Sequence, residues 1–286
     1  MSPKTKTDQV ERIERPNRDT FYKDYVLPNK PVIISGAINE WKAISLWSVD
    51  YFKSIAGNTN IDVEVSPNRI FPPVHEQSMK RLDDYKSMTF GQYIDRITSE
   101  SLVAEGYYFA QQPVDVFFPQ LMNDIKSPDY FKEKSLSTNI WFAGAGYITP
   151  LHYDLAHNLF AQVTGRKRFI LFAPEQTKLL YPFPKFSPIA HFSRVNLDDP
   201  DLVKFPRFQN ARPLECTVEP GDILFIPVFW WHQVYSLNLS VSISFWSHPG
   251  WTKNLKPAAM RVYFSSVAAL FKIFFDKVIA RESSIT

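Results

Sequence analysis

The sequence predicts a mainly β protein, with a barrel of strands at its centre and α-helices at both ends. Proline (22 residues) outnumbers glycine (9), which suits a β protein with many fixed turns better than a helical bundle. Between residues 139 and 246 short apolar runs alternate with turn signals, and beyond residue 250 the apolar spacing becomes helical. With 286 residues and 45% hydrophobic content, the chain can bury one large core.

Before residue 139 the pattern predicts a mixture of short strands and helices. Ser48 and Thr89 each precede a helical pattern, and such hydroxyls cap helices by accepting a backbone N–H. In chain order the predicted elements are a disordered lead-in over 1–12, a strand over 31–35, a helix over 49–56, a strand over 61–65, a helix over 90–97, a strand over 106–112 and a helical segment over 118–125.

The central part of the chain carries the strongest β signals. Residues 159–163 and 168–172, separated by the turn signal Thr164-Gly165, predict a β-hairpin. Further strands are predicted over 214–218, 223–228 and 241–246.

Composition limits the class of protein. A net charge of +3 gives no strong argument for binding to nucleic acid or to a membrane. Cys216 is the only cysteine, so no intramolecular disulfide can form, which fits a reducing, cytoplasmic location. It is interpreted as a buried strand residue. The most apolar stretch, 262–280, is interrupted by Lys272, Asp276 and Lys277, which argues against a membrane span.

Three residues are candidate metal ligands. His152 and Asp154 share a face if they lie on a strand, because side chains two residues apart point the same way. His232 is the third candidate, since it follows a turn, an apolar strand and an aromatic pair. Two histidines and one carboxylate leave the opposite metal positions open, as in non-haem iron(II) oxygenases. The other histidines are interpreted as structural or surface residues: His75, His157, His191 and His248.

Lys167 is the candidate for binding an acidic co-substrate inside the barrel. It shares a strand face with Phe169 and Leu171, and strand alternation alone does not decide which face meets solvent. Thr149 and Asn158 flank the first metal strand and could add neutral hydrogen bonds. Thr149 lies three residues before His152, so on a regular strand the two side chains would point to opposite faces. A contribution from Thr149 therefore requires a bend at Pro150.

Taken together, these motifs resemble those of the JmjC hydroxylases of the cupin class. The motifs are Thr149-Pro-Leu-His152-Tyr-Asp154, Asn158-Leu-Phe-Ala-Gln162, Gly165-Arg-Lys167-Arg-Phe-Ile-Leu-Phe-Ala-Pro174, Leu180-Tyr-Pro-Phe-Pro184, Phe205-Pro-Arg-Phe-Gln-Asn210 and Pro220-Gly-Asp-Ile-Leu-Phe-Ile-Pro227-Val-Phe-Trp-Trp-His232. The resemblance is strong over about residues 139 to 246 and weaker before them. Within the family it is greatest to the asparaginyl hydroxylase type that acts on hypoxia-inducible factor.

The resemblance implies a double-stranded β-helix, or jelly roll, with flanking helices. It implies that His152, Asp154 and His232 bind Fe(II), and that Lys167 pairs with the distal carboxylate of 2-oxoglutarate, assisted by Thr149 and Asn158. The implied reaction consumes O2 and gives succinate and CO2. We expect a catalytic domain over 13–250. Trp230, Trp231 and Trp246 are candidates for a dry aromatic wall; the alternative is core packing, which is the favoured interpretation for Trp230.

Departures from the family pattern put the substrate in doubt. Phe109 stands where the family has a tyrosine whose hydroxyl bonds the co-substrate, and Ser244 replaces an asparagine. His191 and Phe192 replace an Arg-Gln pair that contacts substrate. We expect a peptide or protein substrate, with Tyr107, Gln111 and Trp246 near the cavity mouth. The alternatives are hydroxylation of a tRNA base or a small molecule, and a non-catalytic cupin-like binding protein.

The C-terminal segment 251–286 carries a wide apolar stripe at helical spacing. The stripe consists of Ala259, Tyr263, Val267, Leu270, Phe271, Phe274 and Val278. Such a stripe needs a partner. It covers its own barrel, lies on a membrane surface, or builds a homodimer by pairing C-terminal helices, and the resemblance favours the dimer.

Overall fold

The computed structural model describes residues 8–66, 68–71, 74–75, 80–81, 84–99, 106–131 and 137–247. The predicted C-terminal helix, the dimer that it would build and His248 lie outside the described residues. None of the helices in the described ranges is long and apolar enough to cross a membrane.

The described strands are, in chain order, β1 Asp8–Gln9, β2 Arg12–Ile13, β3 Val32–Ile34, β4 Asn60–Ser66, β5 Val74–His75, β6 Lys80–Arg81, β7 Tyr85–Thr89, β8 Gly106–Pro113, β9 Ser137–Ala143, β10 Ile148–Tyr153, β11 His157–Thr164, β12 Lys167–Phe172, β13 Leu214–Val218, β14 Ile223–Ile226, β15 Trp231–Ser236 and β16 Ser240–Ser247. The α-helices are α1 Arg18–Phe21, α2 Lys42–Leu46, α3 Val49–Ala56, α4 Phe90–Thr98 and α5 Val114–Phe117. A π-helical turn over Tyr22–Val26 directly follows α1, and 3₁₀ turns span Pro119–Asn123, Pro174–Leu179 and Pro206–Asn210.

Two sheets face each other to form the barrel. The large sheet has the strand order β2-β3-β14-β11-β16-β9-β8-β4-β7, and the small sheet has the order β1-β13-β12-β15-β10. From β9 to β16 the chain passes repeatedly between the two sheets, so that β9, β11, β14 and β16 lie in one and β10, β12, β13 and β15 in the other. This arrangement is the double-stranded β-helix that the resemblance implied, and a mainly β fold is confirmed.

The predicted hairpin over 159–172 is wrong. β11 pairs with β14 and β16, whereas β12 pairs with β13 and β15, so the two consecutive strands belong to opposite sheets. The turn at Thr164-Gly165 therefore carries the chain across the barrel. A Cβ at Gly165 would lie 2.1 Å from the carbonyl oxygen of Leu239, and its φ is +70°. A side chain at this position would collide with the Leu239 backbone, so glycine is required there. The sequence alone does not distinguish a glycine required for this reason from one in a hairpin turn.

The predicted lead-in over 1–12 is wrong from residue 8 onward. β1 pairs in parallel with β13, and β2 pairs in parallel with β3. Arg12 also donates to the carboxylate of Asp222 at 2.8 Å. This segment is rich in charged side chains, yet its backbone pairs at the edge of a sheet. Composition alone therefore predicts a solvated tail where the structure has short strands.

Both predicted helix caps are present. The Ser48 hydroxyl accepts from the Tyr51 N–H at 3.2 Å at the start of α3. The Thr89 hydroxyl accepts from the Gln92 N–H at 3.2 Å, and the Gln92 side chain accepts from the Thr89 N–H at 2.9 Å, which completes a capping box at α4. The predicted helical segment over 118–125 is a 3₁₀ turn instead.

Two of the buried clusters lie against the outer face of the large sheet and between the two sheets. Helices α3 and α4 pack an aromatic cluster against the outer face of the large sheet, around Phe52, Phe90 and Phe142. Between the sheets, Phe160, Phe169 and their neighbours form the second cluster, and these two rings also line a cavity. Cys216 is buried there and burial raises the pKa of its thiol to about 12, which confirms it as a core residue of β13.

Candidate active site

Adjacent strands of the small sheet bring the three candidate ligands together. His152 on β10 stands directly opposite His232 on β15, and their ring centroids are 4.3 Å apart. Asp154 follows the end of β10. One ligand atom from each of the three residues lies within 4.8 Å of the others. Strand pairing thus assembles from distant sequence positions a cluster that could hold a metal ion.

Backbone carbonyls fix the orientation of both imidazole rings. His152 Nδ1 lies 2.7 Å from the Pro150 carbonyl oxygen, and His232 Nδ1 lies 3.0 Å from that of Trp230. A carbonyl can only accept, so each Nδ1 carries the proton. The Nε2 atoms are left facing Asp154, at 3.9 Å from His152 and 3.7 Å from His232. Second contacts of this kind orient metal-binding histidines.

His232 is neutral at physiological pH. Burial, followed by the neighbouring His152, lowers the pKa of His232 to about 4. A metal ion binds the neutral imidazole, so no proton has to be displaced from this residue near pH 7.

The candidate ligands line a cavity of about 270 Å³. Lys167 lies in the same cavity and is 1% exposed. Its neighbours Arg166 and Arg168 are not buried, so the strand alternation that the sequence left open places the lysine inside. The Lys167 ammonium lies 3.4 Å from the Tyr108 hydroxyl, and no carboxylate pairs with it among the described residues. Burial lowers its pKa to about 7.

Thr149 and Asn158 also line this cavity. The β10–β15 register shifts between Thr149 and His152, so the strand holds one extra residue there. The bend that the sequence required at Pro150 is therefore present, and Thr149 hydrogen-bonds the Tyr108 hydroxyl. Asn158 is buried and its side-chain oxygen has no hydrogen-bond partner. A buried, unpaired acceptor facing a cavity is costly unless a guest or water satisfies it.

The sequence interpretation missed Tyr108 and chose Phe109 instead. Phe109 is fully buried on the other side of β8, where its ring contacts Phe90 and Phe118. Tyr108 presents the hydroxyl that we expected to be missing. The two residues are adjacent and both aromatic, and only strand alternation distinguishes them. The register of β8 also shifts between Phe109 and Gln112, which hides that alternation in the sequence.

The predicted aromatic wall includes Trp246 and is wrong for Trp231, whereas Trp230 lies in the core, as the sequence interpretation favoured. Trp246 lines the cavity. Trp230 donates to the Asn29 carbonyl at 2.8 Å, and Trp231 donates to the Thr177 hydroxyl at 3.0 Å, so both are core residues. Trp141 lines the cavity in their place. Its indole N–H donates to the Ser244 hydroxyl at 2.8 Å, which gives that departure from the family pattern a structural role.

The expectations for the cavity mouth hold only in part. Gln111 lines the cavity, with a backbone φ of +53°. Tyr107 is buried outside the cavity, where Arg96 donates to its hydroxyl at 3.3 Å. His191 was interpreted as structural or surface, but it lines the cavity with Phe192. The Phe192 ring stacks on His152 at 5.4 Å between centroids.

Glu64 is a candidate site residue that the sequence interpretation missed. It lies on β4, is 8% exposed and lines the cavity, and its carboxylate accepts from the Tyr85 hydroxyl at 3.2 Å. The neighbouring Ile61, Val63 and Val65 marked this strand only as core. The signal that could have found it is an acid inside an otherwise apolar strand. His157 is structural, as predicted, because its Nδ1 accepts from the Val228 N–H at 3.1 Å.

The sequence is similar to one protein-family model and to several named proteins. A family model described as "Cupin-like domain" matches residues 18–252. "Lysine-specific demethylase 8" of Danio rerio is 40% identical over 249 residues, covering 84% of this chain and 58% of the relative. "Lysine-specific demethylase JMJ30" of Arabidopsis thaliana is 35% identical over 245 residues, covering 83% and 54%. "tRNA wybutosine-synthesizing protein 5" of Homo sapiens is 32% identical over 256 residues, covering 84% and 78%. The chain spans little more than half the length of the two demethylase-named relatives.

Proposed function

Since the chain belongs to the cupin-like domain family of JmjC type, we propose that it is an Fe(II)- and 2-oxoglutarate-dependent dioxygenase that hydroxylates a side chain of a peptide or protein. Succinate and CO2 are the co-products. The observation that carries this proposal is one cavity that holds both the His-Asp-His cluster and a buried lysine lacking a carboxylate partner among the described residues.

The donor set fits iron(II). His152, Asp154 and His232 offer two imidazole nitrogens and one carboxylate oxygen, a set that suits Fe(II) and leaves coordination positions for the co-substrate and O2. When bound, the metal supplies the activation of O2. The protein's part is to hold the two imidazole rings by their Nδ1–H bonds and to surround the reaction with aromatic walls.

The opposite side of the cavity fits 2-oxoglutarate. Lys167 offers an ammonium to a carboxylate, and Tyr108 and Thr149 offer hydroxyls beside it. Asn158 lines the same cavity, where its side-chain NH2 group would donate to a carboxylate. A guest carboxylate would neutralise the buried ammonium, since a buried charge is stable only when paired.

The remaining walls favour a cationic side chain, lysine or arginine, as the group that is oxidised. Glu64 supplies a buried carboxylate that is not part of the metal cluster, and Trp141 and Trp246 supply aromatic faces. Cations interact favourably with both kinds of surface. Hydroxylation of an N-methyl carbon gives a carbinolamine that releases formaldehyde, so the same site chemistry would also account for demethylation. The likeness to an asparaginyl hydroxylase stays a prediction.

A tRNA base is the second candidate substrate. It is favoured by the relative named "tRNA wybutosine-synthesizing protein 5", of which this chain covers 78%. The weak net charge of +3 supports the protein substrate over this candidate.

The test supplies the full-length protein with Fe(II) and 2-oxoglutarate and follows succinate. Separate reactions contain peptides centred on lysine, methylated lysine, arginine or asparagine, or total tRNA. Mass spectrometry then identifies an added oxygen or a lost methyl group. Succinate formation without any metal dependence would contradict the oxygenase proposal. An oxidised nucleoside with no oxidised peptide would favour the second candidate. Oxidation of the asparagine peptide alone would contradict the cationic substrate.

A further inference from the structure

A cluster of cations and aromatic rings is built from the segments that precede and follow Phe192, a residue that lines the cavity. The rings of Tyr181 and Phe205 are 5.0 Å apart. The Arg207 guanidinium lies 4.7 Å from the Tyr181 ring centroid, and the Arg194 guanidinium lies 5.5 Å from that of Phe205. The Lys204 ammonium lies 5.2 Å from the Phe205 ring. Three cations are therefore arranged around one aromatic pair.

Hydrogen bonds hold this cluster in place before any ligand binds. The Tyr181 hydroxyl accepts from the Arg207 backbone N–H at 2.9 Å and from its Nε–H at 3.3 Å. The Tyr181 carbonyl accepts from the Arg194 N–H at 3.1 Å. Tyr181 adopts a φ of +46°, which is unusual for a residue with a side chain. A guanidinium packed on a ring loses less side-chain freedom when it binds an anion.

Arg194 and Arg207 have no carboxylate pair within the described ranges, unlike Arg12 and Arg168. Arg12 pairs with Asp222, and Arg168 pairs with Glu215 at 2.5 Å. Arg194 and Arg207 are exposed and have no such pair within the ranges described. Two held guanidiniums thus remain available to an external anion.

Backbone pairing connects this cluster to the candidate metal ligand His152. Ser193 pairs with Pro182, so the segment around Tyr181 runs antiparallel beside the segment around Phe192. Phe192 itself bridges to His152 and stacks on its ring. Two residues along an extended segment span about 7 Å and point to the same side. Arg194 is thus placed on the Phe192 side of this segment.

We propose that Arg194 and Arg207 form a subsite for acidic side chains of a peptide substrate, roughly two to four residues from the residue that is oxidised. The inference rests on the proposed protein-oxidising function and adds a sequence preference to it: a cationic residue inside the cavity, flanked by aspartate or glutamate outside.

Charge near the cluster favours a peptide over a nucleic acid. Asp198, Asp199 and Asp201 lie in the loop that precedes Phe205. The Asp201 carboxylate accepts from the Val203 and Lys204 N–H groups, and it stays within its own loop. A continuous row of phosphates would meet these acids, whereas one or two carboxylates on a flexible peptide avoid them.

The experiment measures binding of labelled peptides to the full-length protein, loaded with Mn(II) and 2-oxoglutarate, by fluorescence anisotropy. The probes are arginine- and lysine-centred peptides with Asp and Glu in the flanks, their Asn and Gln counterparts, and a norleucine-centred acidic peptide. A single-stranded RNA oligonucleotide is included. The variants are the double substitution Arg194→Ala with Arg207→Ala, and Arg212→Ala as a control at an exposed arginine outside the cluster.

We expect the acidic peptides to bind wild type about tenfold more tightly than the Asn and Gln counterparts, and less tightly as salt rises. The double variant should lose this preference, and Arg212→Ala should keep it. Equal binding of both peptide sets, or a preference retained in the double variant, would overturn the subsite. RNA binding that the double variant loses would overturn the peptide version of it. If the acidic norleucine-centred peptide binds as tightly as the acidic arginine- and lysine-centred peptides, the cationic residue proposed for the cavity is contradicted and the subsite still stands.

Discussion

The Lys167 ammonium lies 3.4 Å from the Tyr108 hydroxyl, inside the cavity that also holds the candidate metal cluster. Neither residue has a carboxylate partner within the described ranges. Burial without such a partner lowers the pKa of Lys167 to about 7. The pair is consistent with a site built around a carboxylate that the chain does not itself supply. Its properties lead to tests of the co-substrate, the metal and the protein's pH dependence.

Losing a metal ligand should abolish metal binding and turnover together. His152→Ala or His232→Ala removes one of three donors that meet within 4.8 Å, so Fe(II) binding and succinate formation should both fall below detection. His191→Ala is the matched control, because it lies in the same cavity but outside the cluster. Metal content and succinate are measured on each purified variant. Unchanged 2-oxoglutarate decarboxylation by His232→Ala would disprove the metal assignment.

Removing Lys167 should weaken 2-oxoglutarate binding. A Lys167→Ala variant leaves a buried carboxylate unpaired, at a cost of roughly 3–5 kcal/mol, or about 10²–10³-fold or more in affinity. Tyr108→Phe removes only a neutral hydroxyl and should cost about tenfold or less. Calorimetric titration with Mn(II) in place of iron measures both. Arg166→Ala serves as the control, and an equal, small effect of Lys167→Ala and Arg166→Ala would contradict the assignment.

The ligand-free protein should become more stable as pH rises from 7 toward 10. The folded-state pKa of Lys167 is about 7, below the ordinary value of 10.5, so in this interval the unfolded chain binds the extra proton. The penalty for burying the ammonium is complete below pH 7 and is relieved above it, by roughly 2–3 kcal/mol between pH 7 and 9. Urea unfolding at several pH values measures this. Lys167→Met should remove the trend, and a wild-type stability that falls over this interval in parallel with Lys167→Met would refute it.

Neutralising Glu64 should affect the substrate and spare the co-substrate. Glu64→Gln keeps the shape of a buried side chain but removes its charge, so kcat/KM for a cationic peptide should fall about 10–100-fold. Uncoupled 2-oxoglutarate turnover without peptide should change less than about twofold, since Lys167 and the metal cluster are untouched. Tyr85→Phe controls for loss of the hydrogen bond alone. Equal losses in both reactions would show that Glu64 acts through the fold.

The C-terminal segment 251–286 remains the predicted dimer element, on the strength of its sequence and the resemblance. Phe271→Glu or Phe274→Glu would place a charge in the apolar stripe and should split the dimer, because an unpaired buried carboxylate is strongly unfavourable. Light scattering at micromolar concentration compares these variants with wild type, and Lys272→Glu on the polar side is the control. A monomeric wild-type protein would contradict the prediction.

Sequence patterns recovered the parts of this fold that depend on local chemistry. The caps at Ser48 and Thr89 follow from single hydroxyls before an apolar period, and the His152–Asp154 spacing follows from strand alternation. Long-range pairing lay beyond local patterns. The sequence of the turn at Gly165 is the same whether β12 pairs with β11 or crosses to the other sheet. Only the contact with Leu239 distinguishes the two arrangements.

The candidate site shows the same limit at the level of single residues. Tyr108 and Phe109 alternate in and out of the cavity, and the nearby register shift removes the regularity that would have identified the inward one. Glu64 entered the site because β4 lies beside β8 in the large sheet, a neighbour relation that no short motif encodes. Residues that reach a cavity from a second, distant strand are therefore the ones that a sequence interpretation loses.

The extra residue in β10 makes the register shift in that strand a chemical requirement. Thr149 and His152 are separated by an odd number of positions, and they line one cavity only because Pro150 lies within a register shift. If the same residues paired regularly with β15, Thr149 would turn toward the outer face, because residues three apart on a regular strand point to opposite sides. A substitution that straightened this strand would therefore separate the co-substrate contact from the metal contact. The irregular pairing of β10 is thus tied to reactivity as well as to packing.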